Sequence, residues 1–218
     1  MARSTLSGDV TDVLISPLGL SGLLRLPEPA RALVLFAHGS GSGRLSPRNN
    51  HVAEALRPAG LATLLFDLLT DDESADRANV FDIELLAGRL EMATGWTREQ
   101  DALKDLPMGY FGASTGAAAA LVAAAHQPER VGAVVSRGGR PDMAGPVLEN
   151  VQAPTLLIVG GDDTAVLELN REALAQLRCA KELQIVPGAT HLFEEPGTLD
   201  QVIELARGWF ADHLIARP

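Results

Sequence analysis

Short, continuously apolar runs alternate with stretches of helical length along most of this chain. Leu33-Val34-Leu35-Phe36 and Leu156-Leu157-Ile158-Val159 contain no polar residue. A strand with one face in water alternates apolar and polar residues. A strand without that alternation is buried on both faces, as inside a parallel sheet covered by helices. Strands are expected at Asp9–Ile15, Leu20–Leu26, Ala32–Ala37, Ala62–Phe66, Met108–Phe111, Ala133–Ser136, Thr155–Val159 and Leu183–Val186. Helices are expected at Pro47–Leu56, Val80–Thr94, Ser114–His126, Ala165–Leu177 and Leu199–Leu214. In the last, Val202, Leu205, Ala206, Trp209 and Phe210 recur at helical spacing and should face the sheet. Only Ser16-Pro17-Leu18-Gly19 separates the first two strands, a tight turn that makes them antiparallel. The expected fold is α/β: a mostly parallel eight-stranded sheet with an antiparallel N-terminal hairpin and helices on both faces, in one domain over residues 1–218. Such sheets bind ligands beyond the C-terminal ends of their strands, so the residues just after each strand are the ones to examine.

After the strand at Met108 comes Gly112-Ala113-Ser114-Thr115-Gly116, then an alanine-rich helical run. This is G-x-S-x-G between a strand and a helix, the nucleophile-elbow motif of the α/β-hydrolase fold. A nucleophilic serine must stand exposed on a very tight turn. Glycines two residues before and after let strand and helix approach without a Cβ clash. The helix that follows directs its N-terminal N–H groups at the reacting centre. The competing role for Ser114 is a plain helix N-cap.

A serine hydroxyl needs a base, and the base needs a group to orient it; in this fold they follow in the order Ser, Asp or Glu, His. The strand at Thr155 runs into Gly160-Gly161-Asp162-Asp163. Either aspartate is a candidate acid; Asp163 is preferred, because the short glycine turn brings the fourth residue back toward the site, while Asp162 suits a turn or cap. The strand at Leu183 is followed by Pro187-Gly188-Ala189-Thr190-His191-Leu192-Phe193, which places His191 as base in the loop after the last strand. Ser114, Asp163 and His191 are the expected catalytic set. His126 and His213 read as helix-surface residues and His51 as structural. The strand at Ala32 ends in His38-Gly39-Ser40-Gly41-Ser42-Gly43. Backbone N–H groups of Ser40 and Thr115 are the expected oxyanion donors, each worth about 3 to 4 kcal/mol. His38 is expected to brace that loop. The loop lacks the G-x-G-x-x-G and G-K-[ST] spacings of nucleotide sites.

On these residues the chain resembles the dienelactone-hydrolase-like group of α/β hydrolases over nearly its whole length. Phe66-Asp67-Leu68-Leu69-Thr70 and Ser136-Arg137-Gly138-Gly139-Arg140-Pro141-Asp142 are similar to one branch of that group. The resemblance implies hydrolysis of a carboxylic ester or related acyl bond by Ser114, Asp163 and His191. Dienelactone hydrolases proper carry a cysteine nucleophile; here the position is serine, and the one cysteine, Cys179, lies far from the elbow in sequence.

About 18 residues separate the strand ending at Ser136 from the one starting at Thr155. That leaves no room for a helical cap domain and implies an open site for a small-molecule acyl substrate. Arg137 and Arg140 follow a strand end. One of them binds a substrate carboxylate, or both pair with Asp142 and other local acids. Asp67, Asp71, Asp72 and Glu73 have no His or Cys ligands nearby and read as a solvated loop, so no metal site and no cofactor are implied. A net charge of −10 argues against nucleic acid or anionic membrane as partner. The single cysteine, an N-terminal stretch without a signal-peptide core, and a longest apolar run of only Ala117–Ala125 point to a soluble cytoplasmic protein. The alternative to an enzyme is a non-catalytic domain of this fold that binds a ligand or a partner protein.

Overall fold

The computed structural model describes residues 10–215. Eight strands form one sheet: β1 (Val10–Ile15), β2 (Leu20–Arg25), β3 (Ala32–Ala37), β4 (Leu61–Phe66), β5 (Met108–Ala113), β6 (Val131–Arg137), β7 (Thr155–Gly160) and β8 (Lys181–Val186). All eight expected strands are present; Asp9, the first residue of the expected opening strand, lies outside the described residues. The order across the sheet is β1-β2-β4-β3-β5-β6-β7-β8. β1 pairs antiparallel with β2, and β2 antiparallel with β4; the other pairings are parallel.

The helices are α1 (Pro47–Leu56), α2 (Asp71–Ser74), α3 (Arg77–Phe81), α4 (Ile83–Thr97), α5 (Thr115–His126), α6 (Thr164–Gln176) and α7 (Thr198–Leu214). The alternation along β3 divides the core. Leu33, Leu35 and Ala37 pack with α4 and α5 on one face, while Ala32, Val34 and Phe36 pack with α1 and α7 on the other. Val202, Ala206 and Phe210 of α7 are fully buried, and Leu205 and Trp209 are half-buried at the edge of that stripe. β3, β4, β5 and β7 are buried along their whole length, which is why their sequences carry no alternation.

Two elements depart from expectation. The helix expected at Val80–Thr94 is broken at Asp82, whose carboxylate accepts the Leu85 N–H and caps α4. Asp76 caps α3 in the same way through Ala78 N–H. Aspartate competes with the helix for backbone donors, so Asp82 ends the first helix and starts the next, while Asp76 starts a short helix ahead of the expected one. The acidic cluster is not simply a solvated loop. Thr70 and Glu73 form a reciprocal capping box on α2, and Asp67 accepts both the backbone N–H and the guanidinium of Arg44. Between β6 and β7, Pro141–Asn150 forms 3₁₀ turns kinked at Gly145, and no cap domain is inserted there.

Candidate active site

The chain leaves β3 for β4 on one side and later returns to β5 on the other. β3 and β5 therefore flank the reversal in strand order, where an α/β sheet opens a crevice at its C-terminal edge. His38-Gly39-Ser40 follow β3, and Ser114 follows β5.

Ser114 holds φ 50° and ψ −123°, outside the regions open to most L-residues. Its side chain makes no capping bond to α5, so the N-cap role does not describe it. The turn is fixed from both sides. A Cβ on Gly116 would lie 2.2 Å from the Ala37 carbonyl oxygen, and one on Gly112 2.4 Å from Ala117 Cα. Both glycines are there because backbone meets backbone. Ser114 N–H donates to the Arg137 carbonyl at 3.4 Å, and Arg140 N–H to the Ser114 carbonyl at 3.0 Å. Ser114 is partly exposed.

His191 and Asp163 come together at the ends of β8 and β7. Asp162 N–H donates to the Ala189 carbonyl at 3.0 Å and Gly161 N–H to the Val186 carbonyl at 2.8 Å, which ties the two loops to each other. His191 Nδ1 lies 2.7 Å from Asp163 Oδ2. Asp163 makes no capping bond to α6, so its carboxylate serves the imidazole alone; Asp162 is exposed. With Nδ1–H donated to Asp163, Nε2 is the nitrogen left to take a proton. Gly138, the residue after Arg137, lies against the His191 loop. A Cβ there would lie 2.9 Å from the His191 carbonyl oxygen and 3.7 Å from His191 Cε1. Among the described residues the Ser114 hydroxyl has no hydrogen-bond partner, His191 included.

Thr115 is the first residue of α5, where N–H groups have no partner inside the helix. The Ser40 N–H, expected to be an open donor, donates instead to Thr115 Oγ1 at 3.0 Å. The threonine hydroxyl, which the sequence reading passed over, thus holds the β3 loop against α5. His38 does brace that loop. Leu68 N–H can only donate, so His38 Nε2 accepts at 3.1 Å and Nδ1–H donates to the Gly39 carbonyl at 3.0 Å. Burial lowers the His38 pKa and keeps this neutral tautomer. A cavity of about 360 Å³ opens beside the Ser40–Thr115 contact.

Neither Arg137 nor Arg140 lines the cavity beside the oxyanion loop. Arg137 is 5% exposed; its Nη2–H donates to Asn49 Oδ1 at 3.1 Å, and the guanidinium lies 5.8 Å from the centre of the Phe193 ring. Burial pushes its pKa down to about 10, with the nearby Arg48 adding to the effect. Arg140 is held by both Asp142 oxygens, at 2.8 and 2.7 Å. Carboxylate recognition by Arg137 is corrected by its burial, and local pairing with Asp142 accounts for Arg140. His51 is an exposed residue 3.8 Å from Asp200, not a structural one. His126 pairs with Glu91 at the surface. Cys179 lies between α6 and β8, half-buried and free. No His, Cys, Asp and Glu cluster with metal-binding geometry occurs among the described residues. No helix there is long and apolar enough to cross a membrane.

Residues 31–207 match the model of the dienelactone hydrolase family. The chain belongs to the dienelactone hydrolase family. Within it, a dienelactone hydrolase from Anabaena variabilis superposes with a TM-score of 0.90 at 55% identity, covering 94% of this chain and 97% of that one. Est1E from Butyrivibrio proteoclasticus shares the fold at 17% identity, with a TM-score of 0.78 over 94% of this chain and 98% of its own. A Mycobacterium tuberculosis protein named "Putative phosphoribosyl transferase" is 61% identical over 213 residues. That match takes in 98% of this family member but 48% of the relative, so the chain spans about half the length of the curated relative.

Proposed function

We propose that this chain is a serine hydrolase that cleaves a carboxylic ester or related acyl bond in a small ester, lactone or thioester. The observation that carries the reading is the backbone of Ser114. A non-glycine residue at φ 50°, with its hydroxyl withheld from the helix it precedes, is a strained placement that costs about 1 to 3 kcal/mol and has no structural return. It lies on the strand edge that also carries an aspartate-oriented imidazole.

The Ser114 Oγ attacks the acyl carbon while its proton passes to His191 Nε2. Asp163 holds the imidazole in the receptive tautomer and stabilises the imidazolium. The tetrahedral oxyanion takes the Thr115 N–H and shares the Ser40 N–H with the threonine hydroxyl. The C–O bond of the ester then breaks, and the departing alkoxide takes the proton from His191. Water repeats the sequence on the acyl-enzyme: it gives a proton to Nε2, attacks, and releases the acid and the free serine. Hydrogen bonds of this kind commonly tighten only once substrate is bound.

Incubation with a fluorophosphonate probe tests the reading. Wild type is expected to label and Ser114→Ala not to, in step with loss of p-nitrophenyl ester hydrolysis. A wild-type protein that takes no label and cleaves no ester leaves the non-catalytic binding domain as the better account. The relative's name points instead to phosphoribosyl transfer. That protein is about twice as long as this chain, and the loop after β3 has neither glycine spacing of a phosphate cradle.

A further inference from the structure

The cavity beside the oxyanion loop is lined by Gly39, Ser40 and Thr115, the residues that flank the Ser114 turn, and Gly39 packs directly on that turn: a Cβ there would lie 2.9 Å from Ser114 Cβ. Leu68, Leu69, Val80 and Leu86 supply its apolar wall. The carboxylates that line it are Asp67 and Asp71, and no arginine or lysine is among its lining residues. Asp67 is already paired with Arg44, and burial keeps His38 neutral, so the cavity offers a carboxylate no cation and one unpaired like charge. At about 360 Å³ it is at the small end of ligand pockets. We propose that this cavity receives the acyl group of the substrate and selects short, uncharged acyl groups over carboxylate-bearing ones. The inference rests on the hydrolase reading and adds the substrate class. Its walls come from α3 and α4 and from the segment after β4, so the capped break at Asp82 shapes the pocket.

The test compares p-nitrophenyl acetate, butyrate, octanoate and the carboxylate-bearing succinate half-ester on wild type, Val80→Trp and Leu69→Phe. Wild type is expected to favour butyrate over the succinate half-ester at least tenfold in kcat/KM. Val80→Trp and Leu69→Phe add bulk to its apolar wall and should lower butyrate and octanoate turnover about tenfold or more relative to acetate. Fluorophosphonate labelling of Ser114 is read alongside. If wild type labels and cleaves esters but either filled variant folds and keeps the wild-type chain-length profile, the cavity is not the acyl pocket. Succinate turnover equal to butyrate overturns the charge selection. Absence of labelling in wild type overturns the hydrolase reading itself.

Arg137 is tied to both halves of the site by different contacts. Its carbonyl accepts the Ser114 N–H, and its guanidinium lies over Phe193, two residues past His191. Phe193 is 2% exposed and holds φ 56°, the other positive-φ residue besides Ser114 that is not glycine among the described residues. No carboxylate among the described residues pairs with Arg137, and its Nε has no partner. A buried cation so poorly compensated is costly to keep for stability alone. We infer that Arg137 is a positioning residue that sets the imidazole loop against the serine turn. Arg137→Lys, which keeps charge but not the planar face, and Phe193→Leu, the milder change, are expected to lower kcat about tenfold to a hundredfold with KM within about threefold. Fluorophosphonate labelling should slow in parallel. Folded variants with wild-type kcat and labelling rate assign Arg137 a purely structural role.

Discussion

Replacing Ser114 by alanine is expected to lower kcat on any ester by about ten-thousand-fold or more, leaving only what binding and the oxyanion donors supply. Stability should barely move, because alanine keeps the Cβ that makes φ 50° unfavourable and the hydroxyl makes no hydrogen bond to lose. Ser114→Gly separates activity from strain. It abolishes the nucleophile as completely, but relieves the backbone, and should raise unfolding free energy by about 1 kcal/mol after allowing for glycine's extra freedom in the unfolded chain. Ester kinetics with urea unfolding of the three proteins measure both. A Ser114→Ala protein that retains even a tenth of wild-type turnover would remove Ser114 from the chemistry. A Ser114→Gly protein less stable than wild type would mean that the turn is not strained.

Asp163→Asn should cost about a thousandfold to ten-thousandfold in kcat, whereas Asp162→Asn should stay within about twofold. An asparagine opposite His191 Nδ1 can present an N–H, which forces the proton onto Nε2 and leaves the imidazole unable to accept from serine. The loss should be catalytic, not structural. The Asp163 side chain does not cap α6, and asparagine is in any case as good an N-cap residue as aspartate. Asp162 contributes its N–H to Ala189, a contact that the substitution keeps. Kinetics and thermal unfolding of both variants decide the matter. If Asp162→Asn is the crippled variant, the acid has been misassigned.

Much of the fold was legible because the interior strands β3, β4, β5 and β7 announce their burial. Leu156-Leu157-Ile158-Val159 has no face that tolerates water, so it had to be an interior strand. The helix ends were less legible. Asp82 caps a helix, but in the sequence it is one acidic residue inside the expected Val80–Thr94 run, and Asp76 lies ahead of that run. The capping box of Thr70 and Glu73 had a readable spacing, and it was the available signal for α2. The Ser114 turn was legible for a different reason: two glycines, one strand and one helix leave few conformations. The arginines were not. Arg137 ends β6 and Arg140 lies three residues on, yet one is buried under Phe193 and the other is clasped by Asp142 at the surface.

Sequence alone determined the layered α/β architecture and the order of the candidate site residues along the chain, because apolar periodicity and turn chemistry act over a few residues and leave their mark locally. Only the tertiary structure decided that Asp163 rather than Asp162 meets His191, that the Ser40 N–H is engaged by the Thr115 hydroxyl, and that Arg137 faces α1 and Phe193 and not a substrate. Those outcomes depend on which side of a loop a side chain leaves from and on what a distant strand end puts in its way. Neither is recorded in the spacing of residues along the chain.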